Sequence, residues 1–515
     1  MKVKTIGLII LSLLVFFVVP NNLFAHGFGE RYDLPIPLDY FIFGAASTVA
    51  LSFFVIGFFF KTVIGSDDYP RINLSRFKFF RGIALIISAA IKISAVLVLI
   101  MVLISGLFDR SVSDGRENFA LVFVWIIWWV GLGYITALVG NLWALSNPWQ
   151  TIFSWFEWVF WKQRSPIFKW PEKLDAWPAL VLFLVFAWVE NVYTGGSVPF
   201  NLAVLIVFYS IVTWCGMFLF GKHIWLKRGD PFSVLFALFA RFSPSEIRIV
   251  SDGNGNSICQ ECLSGCAIDP DLPDCVDCYE CWEKADNSLK QISLRFWSSG
   301  LTRGERVSDA LVAFHITALS TVTYDGLSET PFWIEVQNLL WQIVEIIPGN
   351  TAVWIESFGT ISVPVIFAFM YIQICRWCSR FSSGEMPLSD IVRSFVFSLV
   401  PIALAYNFAH YLSYLLISGQ SIIPLISDPL FLGWDLFGTV GYEKDISVVD
   451  AKFAWIVSII AIVLGHVISV WIAHKISLNR ASSHRIAIRS QYPMLLLMVF
   501  YTAVSLWIIA QPIVE

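Results

Sequence analysis

Six cysteines lie close together in one polar, acidic stretch and have the spacing of a metal-binding loop. They are Cys259, Cys262, Cys266, Cys275, Cys278 and Cys281. Each C-x-x-C step brings two sulfurs within reach of one ion, and two such steps separated by a short spacer form the two-knuckle pattern of a zinc ribbon. In this pattern the ligands are Cys259, Cys262, Cys275 and Cys278, and Cys266 and Cys281 are spares. The last three thiols, with a fourth from the first group, could instead hold an iron–sulfur cluster. We predict zinc or an iron–sulfur cluster, with thiols that bind no metal as the remaining alternative.

Ionisable residues also interrupt the apolar windows of the chain, where a charge is costly and often functional. They include Lys92, Glu190, His315, His410 and His466. The three histidines could converge as cofactor ligands on a second metal or a haem iron, or could form a proton path. Alternatively, each is a neutral histidine that is hydrogen-bonded to a neighbouring helix. Both interpretations are open on the sequence alone.

A third group is acidic. Asp325 and Glu329 follow one of the apolar windows, and Glu30 and Asp33 lie near the start of the chain. Together these carboxylates could form an external site for a cation or a substrate. If residues 1–25 are removed as a signal peptide, His26 becomes the first residue and could add a metal ligand, because its free α-amine and its imidazole can together chelate copper. A solvated N-terminal histidine is the alternative.

The composition is that of an integral membrane protein. Of the 515 residues, 57% are hydrophobic and 14% are charged, whereas about a quarter of a soluble protein is charged. The net charge is −4, and no basic cluster indicates a nucleic-acid partner. We therefore expect the chain to be embedded in a lipid bilayer.

Residues 1–25 have the features of a signal peptide. Two lysines precede an apolar run at 6–19, and Ala25 stands at a plausible cleavage edge. Cleavage there would make His26 the first residue of the mature chain.

Ten further apolar windows are long enough to cross a bilayer core of about 30 Å. Five precede the cysteine loop and five follow it, so the two halves would have opposite orientations, as in transporters built from inverted halves. The windows begin near Phe41, Gly82, Asn118, Trp177, Phe200, Ser308, Trp354, Arg393, Phe453 and Tyr492.

Loop charges predict the orientation, because lysine and arginine stay on the cytoplasmic side of a membrane. The loops at 325–356 and 428–445 are acidic. The basic loops are at 61–81, 162–173, 222–228, 376–380 and 475–489. This pattern places the mature N-terminus outside the cytoplasmic membrane and the cysteine loop in the cytoplasm, where thiols stay reduced and metal binding is favoured over disulfides.

These features predict an all-α, polytopic integral membrane helical bundle of about ten helices. Its expected parts are a signal peptide at 1–25, a first membrane half at 26–242, a cytoplasmic Cys-rich metal-binding insertion at 243–306 and a second membrane half at 307–515.

Five segments carry a resemblance that covers nearly the whole mature chain. They are HGFGERYDLPIPL at 26–38, GNLWALSNPW at 140–149, CVDCYECWE at 275–283, LSTVTYDGLSETPFW at 319–333 and SQYPMLLLMVFYTAVSLWIIAQPIVE at 490–515. The chain resembles a family of polytopic membrane proteins from bacteria and archaea, some of which are named fenitrothion hydrolase. That name implies cleavage of an organophosphorus triester, a reaction that needs a metal-activated water. His26, Asp325 and Glu329 could act there as ligands or base.

Three functions follow as predictions. The first is transport or redox handling of a metal ion, a proton or a small solute through a histidine-containing core. The second is metal-dependent hydrolysis of organophosphorus triesters, with Asp325, Glu329 and His315 as candidate catalytic residues. The third is a structural or assembly role, in which the cysteine loop docks a soluble partner.

Overall fold

The structure is a computed structural model that describes residues 36–61, 69–108, 117–160, 166–250, 262, 275–303 and 307–511. The predicted signal peptide and the predicted site residues His26, Glu30, Asp33, Cys259 and Cys266 lie outside these residues.

The first half of the chain forms a group of long apolar helices joined by short ones. Their length and composition follow from the uninterrupted apolar windows, since each long helix can satisfy its own backbone hydrogen bonds in a bilayer. They are α1 (Leu38–Phe59), α2 (Lys78–Leu107), α3 (Phe119–Leu138), α4 (Leu142–Ser146), α5 (Pro148–Phe160), α6 (Trp177–Asn191), α7 (Pro199–Phe220), α8 (Lys222–Arg228) and α9 (Pro231–Ala240).

A small antiparallel sheet with one short helix follows. Its strands are β1 (Arg71–Asn73), β2 (Ser245–Ile249), β3 (Cys275–Val276) and β4 (Lys290–Arg295), in the order β1-β4-β2-β3, and α10 (Tyr279–Lys284) follows β3. This sheet is an addition to the predicted all-α architecture. Because β1 belongs to it, the unit extends beyond the predicted insertion at 243–306.

The second half is again helical. It consists of α11 (Asp309–Ser328), α12 (Pro331–Val344), α13 (Thr351–Phe381), α14 (Leu388–Phe395), α15 (Val400–Ile417), α16 (Ile422–Ser427), α17 (Ala451–Arg480) and α18 (His484–Ile509). Short 3₁₀ turns join α14, α15 and α16 into one run.

Nine helices in the described part of the chain are long and apolar enough to cross a membrane. They correspond to nine of the ten predicted windows. The tenth window, which begins near Ser308, forms α11, and this helix packs against α6, α13 and α15. Thirteen of its 20 residues are buried. A helix enclosed by other helices can carry polar side chains that a lipid-facing helix cannot.

Close helix packing depends on a glycine where α15 and α17 meet. A Cβ atom at Gly465 would lie 2.4 Å from the Cβ of Ala405 and 2.7 Å from the carbonyl oxygen of Pro401. Small residues allow such approaches between membrane helices. This contact fixes the height of His466, the next residue, relative to α15.

Candidate functional site

A cavity of about 1010 Å³ opens at the end of the bundle opposite the sheet. Residues of α3, α6, α11, α15, α17 and α18 line it, so it lies between the two halves of the chain. The lining is acidic and aromatic. Its ionisable residues are Glu117, Glu190, Asp325, Glu329 and His410, and its large aromatic residues include Trp125, Trp129, Tyr411, Tyr414 and Trp455.

Asp325 is the centre of the polar contacts in this cavity. His410 Nε2 lies 2.9 Å from Asp325 Oδ2, and the hydroxyl of Tyr411 donates a hydrogen bond to the same oxygen. Asp325 comes from the end of α11, whereas His410 and Tyr411 are neighbours on α15. The pair is partly open to the cavity, since the two side chains are 20% and 16% exposed.

A second carboxylate from another helix joins this group. Glu190 Oε1, at the end of α6, lies 3.4 Å from the Tyr411 hydroxyl and accepts a hydrogen bond of 2.5 Å from Trp129 Nε1. A hydroxyl has one proton, so Tyr411 can donate to Asp325 or to Glu190 but not to both at once. The two carboxylates are therefore joined through a group that can change its donor direction.

The helix that supplies the tryptophans has an uncommon geometry. Residues Val122–Gly131 of α3 form a π-helix, whose wider turn changes the direction of its side chains. Trp125 and Trp129 face the cavity, and Trp125 Nε1 donates to the carbonyl of Gly196 at 3.1 Å. Such segments occur often at functional sites. The sequence does not reveal them, because a π-helix and an α-helix use the same apolar residues.

Glu329 lies at the rim of the cavity, just after α11. Burial raises the pKa of this carboxyl, although His410 acts in the opposite direction, and Asp325 adds to the rise. Glu329 thus holds its proton to a higher pH than an exposed glutamate does. Asp325 and Glu329 were predicted together from the sequence, and both line the cavity.

The three membrane histidines do not meet at one ion. His315 precedes Asp325 by ten residues on α11, which is about 15 Å along the helix axis. Its Nδ1 lies 2.5 Å from the carbonyl of Leu311. Bonds from an ion to nitrogen are near 2 Å, so His315 cannot share an ion with His410. The same separation of about 15 Å along α11 means that His315 does not act beside Asp325 and Glu329, contrary to the prediction from the sequence.

His466 also lies away from the cavity. Ser458 of α17 donates to the carbonyl of Ala409 on α15, so Ser458 lies at the same depth in the bundle as His410, the residue after Ala409. His466 is eight residues further along α17, or about 12 Å deeper in the bundle. Only His410 of the three contributes to the cavity.

A separate group of thiols lies beside the sheet. The sulfurs of Cys262, Cys278 and Cys281 lie within 4.8 Å of one another, close enough to bind one metal ion. Cys262 Sγ is 3.7 Å from Cys278 Sγ. Cys278 occupies the N-cap position of α10 and Cys281 lies three residues further along, so both thiols face the same side of the helix.

The cysteines that meet in this group are not the set that the zinc-ribbon pattern predicts. Cys281, which the zinc-ribbon pattern left as a spare, belongs to it. Cys275 instead lies on β3, where it pairs with Ile249 of β2. The helical turn after Cys278 explains the difference, because it carries the side chain at i+3 back to the same face.

The thiol helix is tied to the membrane helices by charge. Glu283 of α10 lies 3.1 Å from Lys222 Nζ and 3.0 Å from His223 Nε2, at the junction of α7 and α8. Burial alone would raise the pKa of Glu283, but the His223 and Lys222 contacts lower it to about 2. The carboxylate is therefore charged at neutral pH and holds α10 against the bundle.

Comparisons of the chain with family models, with curated proteins and with solved structures found no match. The chemistry of the two sites therefore has to be inferred from their residues. Of the cavity residues, Tyr411, Trp125 and Trp129 were missed from the sequence. Glu190 had a signal, since it is a carboxylate at the end of an apolar window, but nothing indicated its partner.

Proposed function

We propose that the protein is a transporter of the cytoplasmic membrane that binds a cationic small solute in the cavity and exchanges it for protons. The observation that supports this most directly is the meeting of Asp325 and Glu190, from two helices, through Tyr411 in a large cavity. Sites of secondary transporters lie between helical halves in the same way.

The lining favours a cation over an anion or a neutral solute. Four carboxylates line the cavity, and among the described lining residues only His410 can carry a positive charge. The faces of Trp125, Trp129 and Trp455 add an aromatic surface, and aromatic rings attract organic cations. A cavity of this size admits a small organic cation with some of its water.

The same groups can exchange a proton for the solute. A cation beside Asp325 and Glu190 provides the positive charge that a bound proton would otherwise provide. Solute and proton would then compete for the two carboxylates, and competition of this kind couples their movements in opposite directions. Tyr411 can adjust its hydrogen bond to whichever carboxylate is charged.

Binding can be tested with benzyltrimethylammonium and its uncharged carbon analogue neopentylbenzene, followed by tryptophan fluorescence of the purified protein. We expect the cation to bind more tightly than the neutral analogue. Glu190→Gln should lower the affinity for the cation about tenfold, or about 1.4 kcal/mol, because it removes one charge from the site. The matched control is Glu345→Gln, an exposed carboxylate outside the cavity, which should leave affinity unchanged. Equal binding of the two compounds would contradict the proposal.

Hydrolysis of an organophosphorus triester has less support. Among the residues that the structure describes, the cavity does not gather three metal ligands, and His410 Nε2 is engaged by Asp325. Release of nitrophenol from fenitrothion by the purified protein, abolished by a chelator, would favour hydrolysis over transport.

For the thiol group we propose a structural zinc ion on the cytoplasmic side, with Cys262, Cys278 and Cys281 as ligands. Protein purified without chelators should carry about one zinc per chain by elemental analysis. Cys278→Ser should lose most of it, because serine is a poor zinc ligand. The control is Cys215→Ser, an exposed cysteine on α7. Iron with a visible absorption band would indicate the iron–sulfur alternative, and neither metal would contradict the site.

A further inference from the structure

Below the cavity, polar side chains continue into the apolar middle of the bundle. Gly326 follows Asp325 on α11, and a Cβ atom there would lie 2.5 Å from the Tyr406 hydroxyl. Tyr406 therefore reaches the surface of α11 directly beside the cavity floor. Its ring is stacked parallel to that of His410, with 6.2 Å between centroids. Tyr406 is 1% exposed, and its hydroxyl has no hydrogen-bond partner among the described residues.

The next polar contact is one turn deeper. Thr323 lies three residues before Gly326 on α11, which is about 4.5 Å along the axis. Its hydroxyl is hydrogen-bonded to the hydroxyl of Tyr501 on α18. Thr323 also donates to the carbonyl of Leu319 at 2.9 Å, so Tyr501 is the donor to Thr323 while that bond is made, and the direction reverses when Thr323 turns its proton to Tyr501.

His466 lies beside this pair. Its ring centroid is 5.9 Å from that of Tyr501, and the side chain is 1% exposed. The Nδ1 atom is 2.8 Å from the carbonyl oxygen of Ile462. A carbonyl only accepts, so Nδ1 carries the proton and Nε2 presents a lone pair. That lone pair has no partner within the described part of the protein, and an unpaired buried acceptor is uncommon.

The polar side chains continue toward the sheet end of α17. Ser469, one turn beyond His466, is buried and donates to the carbonyl of Ser398 at 2.5 Å. His474, a little more than one turn further, is also buried. Its Nδ1 lies 3.3 Å from Gln491 Oε1, and its Nε2 lies 2.8 Å from the carbonyl oxygen of Phe60. Hydroxyl and imidazole groups thus follow one side of α17 from the middle of the bundle to its end.

We infer that these groups form the proton path of the transporter, with His466 as its central relay. A proton leaves the Asp325 and His410 pair and passes through bridging water to the unpaired Tyr406 hydroxyl, which releases its own proton, again through water, toward Thr323 and Tyr501. Each hydroxyl gains one proton and loses one, so that the net change is transfer to His466 Nε2. The imidazolium ring then turns, releases the proton on Nε2 toward the inner groups, and returns to the neutral form whose Nδ1 faces the Ile462 carbonyl. This inference rests on the proposed function, for which it supplies the route of the exchanged proton.

The test uses the full chain in liposomes that contain benzyltrimethylammonium and the pH dye pyranine. Dilution creates an outward gradient of the cation, and exchange should acidify the interior. We expect His466→Phe to abolish acidification and Tyr501→Phe to slow it at least tenfold, while both variants bind the cation within twofold of the wild-type affinity. The matched control is Tyr371→Phe, which removes a buried hydroxyl that donates to the carbonyl of Val392 away from the path.

The outcomes separate the path from the proposed function. Acidification by His466→Phe and Tyr501→Phe at the wild-type rate would overturn the path. A wild-type protein that binds the cation but moves no protons would also overturn it, and would leave cation binding in place. Proton movement that stops in His466→Phe without any cation binding would support the path and contradict the proposed solute.

Discussion

Replacing Arg295 by methionine is expected to lower the free energy of unfolding by about 3 to 5 kcal/mol, the usual cost of breaking a buried ion pair by removing one partner. Arg295, at the end of β4, is 4% exposed. Its guanidinium donates to Glu246 at 2.9 Å and lies 3.5 Å from Asp277. It also donates to the carbonyls of Ser243 and Ala240, which join the sheet to the end of α9.

Methionine fills a similar space but donates no hydrogen bond. Two carbonyls would lose a donor in a buried place, and Glu246 and Asp277 would face each other without the intervening positive charge. Arg71 and Tyr69 still donate to Glu246, which is why the loss should stay within the stated range. The sheet that holds Cys275 and α10 would then separate from the bundle first.

The matched control is Arg393→Met. Arg393 makes a bidentate pair with Asp309 at 2.9 and 3.0 Å, but the two side chains are 40% and 70% exposed. Exposed pairs contribute about 0 to 1 kcal/mol. Unfolding of both variants in mixed detergent micelles, titrated with dodecyl sulfate, gives the comparison. Similar losses for the two arginines would contradict the assignment of Arg295 as the anchor of the sheet.

The membrane helices could be predicted because their signal is local. A run of about 20 apolar residues determines a span without reference to the rest of the chain. For α11, whose window includes His315 and Asp325, the apolar run predicted a helix, but this helix is not among the nine described helices that are apolar enough to cross a membrane. The sheet could not be predicted in this way. Its strand β1 pairs Arg71 with Arg295, and such short strands separated by more than 200 residues leave no pattern in the sequence.

The cavity was predicted in part, for a related reason. Asp325 and Glu329 are neighbours on the chain, so their proximity follows from sequence. Their meeting with His410 depends on the packing of α11 against α15, and that with Glu190 depends on α6. The sequence singled out histidines in three apolar windows, but depth along a helix decides which of them can meet. That depth follows from contacts such as Gly465 on Ala405, which no single segment reveals.

The largest functional effect should come from Asp325→Asn. Asparagine keeps the shape of the side chain and can still accept a hydrogen bond from Tyr411, but it removes the charge at the centre of the cavity. We expect the affinity for benzyltrimethylammonium to fall at least thirtyfold, which corresponds to about 2 kcal/mol, the lower end for removing one partner of the ion pair that Asp325 would form with the bound cation. The effect should exceed that of Glu190→Gln, because Asp325 contacts both His410 and Tyr411.

In Asp325→Asn we expect the affinity for the cation to fall strongly while the free energy of unfolding changes little. The Asp325 and His410 side chains face an open cavity, so water can solvate His410 once its partner is neutral, and unfolding in mixed micelles should change by only about 1 kcal/mol. The control is Asp435→Asn, an exposed carboxylate in the acidic loop that follows α16. If Asp325→Asn bound the cation as the wild type does while Glu190→Gln did not, the binding charge would lie on α6 alone, and proton exchange through Tyr411 would lose its basis. Loss of binding in both variants with the fold intact would locate the solute between the two helices, where one hydroxyl proton serves either carboxylate.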